Sequence, residues 1–123
     1  MEIIETSNAY QSKRPLPQAV ICDDYVFLSG SAGFHPETEE LVSDGLDQQV
    51  AMTFKNIQTV LSECDLELSD IVKINAYLTN ADSMDDFDEA YKNALSEPYP
   101  ARTTVVTDLV FDGKIEIDAI AKR

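Results

Sequence analysis

Two stretches of helical periodicity enclose one stretch of strand periodicity, and this limits the folds open to the chain more than any other feature. Leu46, Val50, Phe54, Ile57, Leu61 and Cys64 recur at steps of three or four. That apolar stripe predicts a helix from about Asp44 to Cys64, with Asp44 and Asp47 near the positive end of its dipole. Met84, Phe87, Tyr91 and Leu95 form a second stripe, opened by Ser83-Met84-Asp85-Asp86 in a capping-box pattern and closed by Pro98. Between them Ile71 to Thr79 alternates. Val72, Ile74, Ala76 and Leu78 share one face and Lys73, Asn75, Tyr77 and Thr79 the other, which predicts a half-buried strand.

Both flanks read as β structure. Ala19-Val20-Ile21-Cys22 and Tyr25-Val26-Phe27-Leu28-Ser29-Gly30 bracket Asp23-Asp24 as a hairpin, and a short strand fits residues 2–5. Residues 11–18 form a polar, proline-broken arm, and Gly33 to Glu40 a loop. At the far end, residues 102–110 and 114–122 flank Asp112-Gly113, a turn pair that predicts a second hairpin. The order is ββ-α-β-α-ββ. Two helices cannot cover both faces of a five- or six-stranded sheet, so the expectation is an α+β fold: a mixed sheet with both helices on one face, in a single domain spanning residues 1–123. The semi-polar face of Lys73, Asn75, Tyr77 and Thr79 is then expected to meet another subunit.

The chain has 23 acidic and 9 basic residues, a net charge of −14. Nucleic-acid binding depends on lysine and arginine displacing counterions, so this balance argues against a nucleic-acid partner, and equally against anionic membranes. No apolar run is long enough to span a bilayer, and Met1-Glu2-Ile3-Ile4-Glu5 lacks the basic, apolar character of a secretion signal. Cys22, in a strand, and Cys64, on a helix face, have neither metal-ligand nor disulfide-scaffold spacing. They are expected to be reduced cysteines of a cytoplasmic protein. His35, in the turn Phe34-His35-Pro36-Glu37, cannot build a metal site alone.

Against that charge, Arg102 stands out. It is one of three arginines, and alone among them it lies within a regular element, at the start of the strand after Tyr99-Pro100-Ala101. Its planar fork of donors suits a carboxylate bidentately, and an internal salt bridge is the competing explanation. Glu116 alternates with Ile115 and Ile117, so it faces either solvent or a site.

Taken in order, Phe27-Leu28-Ser29-Gly30, Gln49 with Asn56-Ile57, Ser69-Asp70-Ile71-Val72-Lys73, Pro100-Ala101-Arg102 and Ile115 through Ala121 resemble the RidA/YjgF family of reactive-intermediate deaminases over nearly the whole chain. The resemblance implies a chorismate-mutase-like fold, and a homotrimer with sites in the clefts between subunits. It also implies cofactor-free hydrolysis of small 2-imino acids to 2-keto acids and ammonia. In active members the residue matching Arg102 clamps the substrate carboxylate, and the one matching Glu116 handles the attacking water. Groups near the matches of Ser29, Gly30 and Thr104 line the pocket. Three positions depart from the family pattern. Arg14-Pro15-Leu16 stands where Gly-Pro-Tyr is usual, Thr104 replaces a cysteine, and Asp88 replaces an asparagine. Leu16 and Thr104, standing in for a phenol and a thiol, are expected to make the pocket drier and suited to bulkier apolar imino acids. Asp88 is expected to bring negative charge towards an anionic substrate.

The chemistry suits these residues, since imine hydrolysis needs a held carboxylate, a positioned water and a proton carrier. Two other classes compete: a non-catalytic binder of small carboxylates using Arg102, and an RNA-acting protein, which the acidic surface disfavours. In the predicted hairpin Glu116 lies opposite Leu109. Arg102 is then seven residues along the strand, roughly 23 Å away at ~3.3 Å per residue, so one reaction could use both only across subunits.

Overall fold

The structure, a computed structural model, describes residues 1–123. Six strands form one sheet: β1 (Glu2–Ile4), β2 (Ala19–Cys22), β3 (Tyr25–Ser31), β4 (Ile71–Leu78), β5 (Ala101–Val106) and β6 (Ile115–Lys122). Two helices, α1 (Leu46–Ser62) and α2 (Met84–Ala94), supply the connections β3-α1-β4 and β4-α2-β5. The strand order is β1-β2-β3-β6-β4-β5, with β4 and β5 parallel and every other pair antiparallel. The mixed sheet, the two helices and the element order are those expected.

Alternation along the strands decides which face meets the helices. Ile115, Ile117, Ala119 and Ala121 of β6 and Ile74, Ala76 and Leu78 of β4 are buried in one core with Val50, Phe54, Ile57 and Leu61 of α1 and Phe87 and Tyr91 of α2. Each fully buried isoleucine or leucine there contributes about 1.5–3 kcal/mol. The opposite face carries Lys73, Asn75 and Tyr77 on β4 and Glu116 and Asp118 on β6, all partly exposed. Asn75 Nδ2 donates to Asp118 Oδ1 at 2.9 Å and Tyr77 Oη to Asp118 Oδ2 at 2.7 Å, so this face is an ordered polar surface.

Four local expectations need correction. The C-terminal hairpin does not exist: β5 stops at Val106 and runs beside β4, while β6 inserts between β3 and β4. A strand followed by a crossover helix returns parallel to itself, and that constraint overrides the local Asp112-Gly113 signal. In β4 the register shifts between Ile71 and Lys73, so Ile71 points inward and Val72 is exposed. A bulge adds one residue to one strand and reverses the alternation across it. Ser83 makes no side-chain cap; Asn80 Oδ1 accepts from the Asp82 amide at 2.9 Å, starting a short 3₁₀ turn at Ala81–Ser83 that leads into α2. Cys64 lies just beyond α1, which ends at Ser62, and still packs against the core.

Buried polar side chains on α1 fix the loops around the site. Asn56 is 4% exposed; its Nδ2 donates to the Phe34 carbonyl at 2.9 Å, and its Oδ1 accepts from the Tyr10 amide at 3.1 Å. Gln49, 2% exposed, accepts at Oε1 from the Lys114 amide at 2.9 Å and donates from Nε2 to the Ser43 carbonyl at 2.9 Å. A buried amide left unpaired would cost about 1–3 kcal/mol, so these bonds hold the N-terminal arm and the segment before β6 against the helix.

Candidate functional site

Glu116 is positioned by a local break in the sheet. Between β3 and β6 the pairing goes from Leu28↔Ala119 to Ser31↔Ile117, which sets three steps of β3 against two of β6 and bulges out Ser29 and Gly30. The bulge lets the Gly30 backbone approach the Glu116 side chain. A Cβ at Gly30 would sit 2.8 Å from Glu116 Oε2 and 2.9 Å from Cδ, closer than real carbon atoms pack. Ser29 turns back to the arm, its Oγ donating to the Pro17 carbonyl at 2.7 Å.

A cavity of about 460 Å³ opens here, lined among others by Leu16, Ser29, Gly30, Phe34, Phe111 and Glu116. Phe34 stacks on Tyr10 at 4.6 Å between ring centroids and meets Phe111 at 5.2 Å, giving it an aromatic wall. Leu16 is 42% exposed, part of the lining yet open to solvent. Burial in this apolar setting raises the Glu116 carboxyl above its ordinary range, and the charge of Asp118 adds to the effect. A carboxyl raised in this way can both take up and release a proton nearer neutrality.

Arg102 lies elsewhere. It pairs in register with Ile74 on the core-side face and extends towards α2, where Nη2 donates to Asp88 Oδ1 at 2.8 Å. Its guanidinium carbon is 4.7 Å from the centre of the Tyr91 ring and 5.2 Å from that of Phe87. Two aromatic faces and one carboxylate thus hold the group; with both side chains partly exposed, the ion pair itself contributes about 1 kcal/mol or less. The internal salt bridge considered from sequence is therefore present, but through one nitrogen only. No other protein acceptor meets the guanidinium, so an edge of the fork is left for an anion. Thr104, beside Ala76, shares this face of β5 and is partly buried.

The expected site residues therefore fall into two groups. Leu16, Ser29, Gly30 and Glu116 gather at the cavity; Arg102, Asp88 and Thr104 gather at β5 and α2. Glu116 pairs with Tyr77 and Arg102 with Ile74, on strands either side of β4 and on opposite faces of the sheet. Two strand spacings and a three-residue offset put their Cα atoms roughly 14 Å apart, replacing the 23 Å of the hairpin that is not there. Residues the sequence reading did not assign to the site are Tyr10, Phe34, Phe111 and the buried Asn56. An asparagine beside the apolar stripe of α1 was the one available signal. No group of three His, Cys, Asp or Glu side chains is placed to hold a metal ion, and no helix is long and apolar enough to cross a membrane.

The family model described as Endoribonuclease L-PSP matches residues 6–123. The chain belongs to this family, the RidA/YjgF group expected from its residues. A RutC family protein of Aquifex aeolicus is 35% identical to it over 126 residues, covering 100% of both chains. A 2-iminobutanoate/2-iminopropanoate deaminase of Dermatophagoides farinae is 32% identical over 119 residues, 96% of this chain and 93% of its own. Among solved structures, RidA from an Antarctic Psychrobacter superposes with a TM-score of 0.95 at 35% identity over 100% of both chains. Escherichia coli TdcF with bound serine does so with a TM-score of 0.94 at 31% identity, over 100% of this chain and 99% of its own.

Proposed function

We propose that the protein hydrolyses small 2-imino acids to 2-keto acids and ammonia. The observation that carries this reading is Glu116, a half-buried carboxyl of raised pKa pressed against the Gly30 backbone at the wall of an apolar cavity. The full-length likeness to an enzyme named 2-iminobutanoate/2-iminopropanoate deaminase supports the reaction class. Glu116 takes a proton from water as the water oxygen bonds to C2 and the C=N π electrons move to nitrogen. The proton then passes to that nitrogen, giving a carbinolamine. Its hydroxyl proton moves through Glu116 to the nitrogen as the C–N bond breaks and the C2 carbonyl forms, and ammonia leaves with the 2-keto acid. Arg102 holds the carboxylate throughout, and fixing the substrate in this way lowers the entropic part of the barrier.

A small imino acid cannot reach both groups within one chain, since they lie about 14 Å apart on opposite faces. The reading therefore includes assembly, as a homotrimer, in which the Arg102 group of one copy completes the Glu116 cavity of the next. The polar face of Asn75, Tyr77 and Asp118 is suited to such a contact. An RNA substrate does not fit a net charge of −14.

The test couples a threonine dehydratase to semicarbazide trapping. With the protein present, released 2-iminobutanoate should reach the keto acid before semicarbazide captures it, so semicarbazone formation slows in proportion to added protein. An unchanged rate would overturn the deaminase reading and leave carboxylate binding without turnover.

A further inference from the structure

We propose that Asp88 makes the Arg102 end of the site selective for zwitterions, molecules with a protonated nitrogen on the carbon next to the carboxylate, over plain carboxylates. The inference rests on Arg102 as the carboxylate holder of the proposed function and names what that holder prefers.

Asp88 Oδ1 takes a single hydrogen from Nη2 of Arg102, at 2.8 Å. Its other oxygen accepts no hydrogen bond from the protein, and the side chain is 39% exposed. The remaining guanidinium donors are likewise unpaired, above the rings of Tyr91 and Phe87. A ligand therefore meets an open donor edge and an open anionic oxygen side by side, an arrangement with almost no net charge but a strong local dipole. Its complement carries a carboxylate and a cationic N–H at a similar separation. A protonated 2-imino acid has that form. The 2-keto acid produced from it does not: with its carboxylate on Arg102, its keto oxygen turns lone pairs towards the Asp88 carboxylate, with no hydrogen between them. A site built to accept a hydrogen bond rejects a ligand that lacks the donor. Asp88 would thus favour the reacting form and help expel the product.

The experiment compares 2-aminobutanoate with 2-oxobutanoate, the same carbon skeleton with and without the cationic nitrogen, by calorimetric titration at pH 7. The native protein should bind the amino acid about tenfold more tightly. Asp88→Asn keeps the shape and the acceptor on Arg102 but removes the charge. It should bind 2-oxobutanoate about tenfold more tightly than the native protein does and lose the preference. Arg102→Gln should bind neither ligand. Equal or tighter native binding of the keto acid, no measurable native binding of either ligand, or an unchanged ratio in Asp88→Asn would overturn the proposal. Running the semicarbazide assay in parallel separates the two claims. An intact ligand preference without imine diversion removes the deaminase reading alone, and diversion without a preference removes this inference alone.

Discussion

Glu116 lies on a strand with neighbours on both sides, at a backbone bulge, within walls tied to α1 by Asn56 and Gln49. Arg102 lies on the outermost strand of the sheet and leans on a single helix through one ion pair and two rings. The first region fixes its carboxyl against backbone, where even one added carbon displaces the Glu116 side chain. The second fixes its cation by side chains, which can change without disturbing the sheet. The proposed reaction needs both kinds of group, and one chain holds them apart.

The largest effect is expected at Arg102. Arg102→Ala and Arg102→Lys should both lower kcat/KM for imine hydrolysis on the order of a hundredfold, because neither keeps a bidentate hold and slight misplacement of the substrate is costly. Both should elute as the native protein does. A lysine variant within a few-fold of wild type would make Arg102 a structural residue and dissolve the contrast between the regions. Next comes complementation. Inactive Arg102→Ala mixed with inactive Glu116→Ala should regain part of the activity after subunit exchange, since some clefts then carry both native residues. No recovery after verified exchange would argue against a site shared between copies.

Gly30→Ala probes the rigid region by itself. The added carbon meets the end of the Glu116 side chain, which can swing away, so thermal stability should stay within about 0.5 kcal/mol of wild type while kcat falls roughly tenfold. A normal kcat would separate Glu116 from the chemistry. The smallest effect concerns pH. Glu116 has a raised folded-state pKa, so its ionisation is harder in the folded chain than in the unfolded one. Its contribution to stability is present below the ordinary glutamate pKa and is lost as pH rises through the raised value. Glu116→Gln should therefore match wild type near pH 4 and melt about 1–3 °C higher at pH 8. An equal or lower melting temperature at pH 8 would mean the carboxyl is well solvated.

Much of the fold was legible because helical and strand periodicities differ so clearly here: the stripes from Leu46 to Leu61 and from Met84 to Tyr91, the Asp23-Asp24 hairpin and the β4 alternation from Lys73 to Leu78 lie where the residues put them. The partner of β5 was not legible from local pattern, because alternation reports which face is buried and not which strand lies alongside. The intervening helix α2 carried the missing information, since a crossover requires a parallel neighbour. The bulge at Ile71–Lys73 was invisible for a similar reason, as Val72 is as apolar as the residues it displaces. At the site, Arg102 and Glu116 could be picked out as charges that core-building does not explain. The aromatic wall could not, because Tyr10, Phe34 and Phe111 come together from three separate loop segments.

The placement of Arg102 on an edge strand also bears on how such a protein diversifies. Leu16, Asp88 and Thr104, the three positions expected to depart from the family pattern, all occupy partly or largely exposed positions outside the core. Substitutions there can be tried one at a time with little loss of folding, whereas Gly30 has no neutral neighbour in mutational space while Glu116 stays where it is. A lineage built on this scaffold can therefore change side chains along the rim and the outer strand while the Glu116 carboxyl is inherited unchanged.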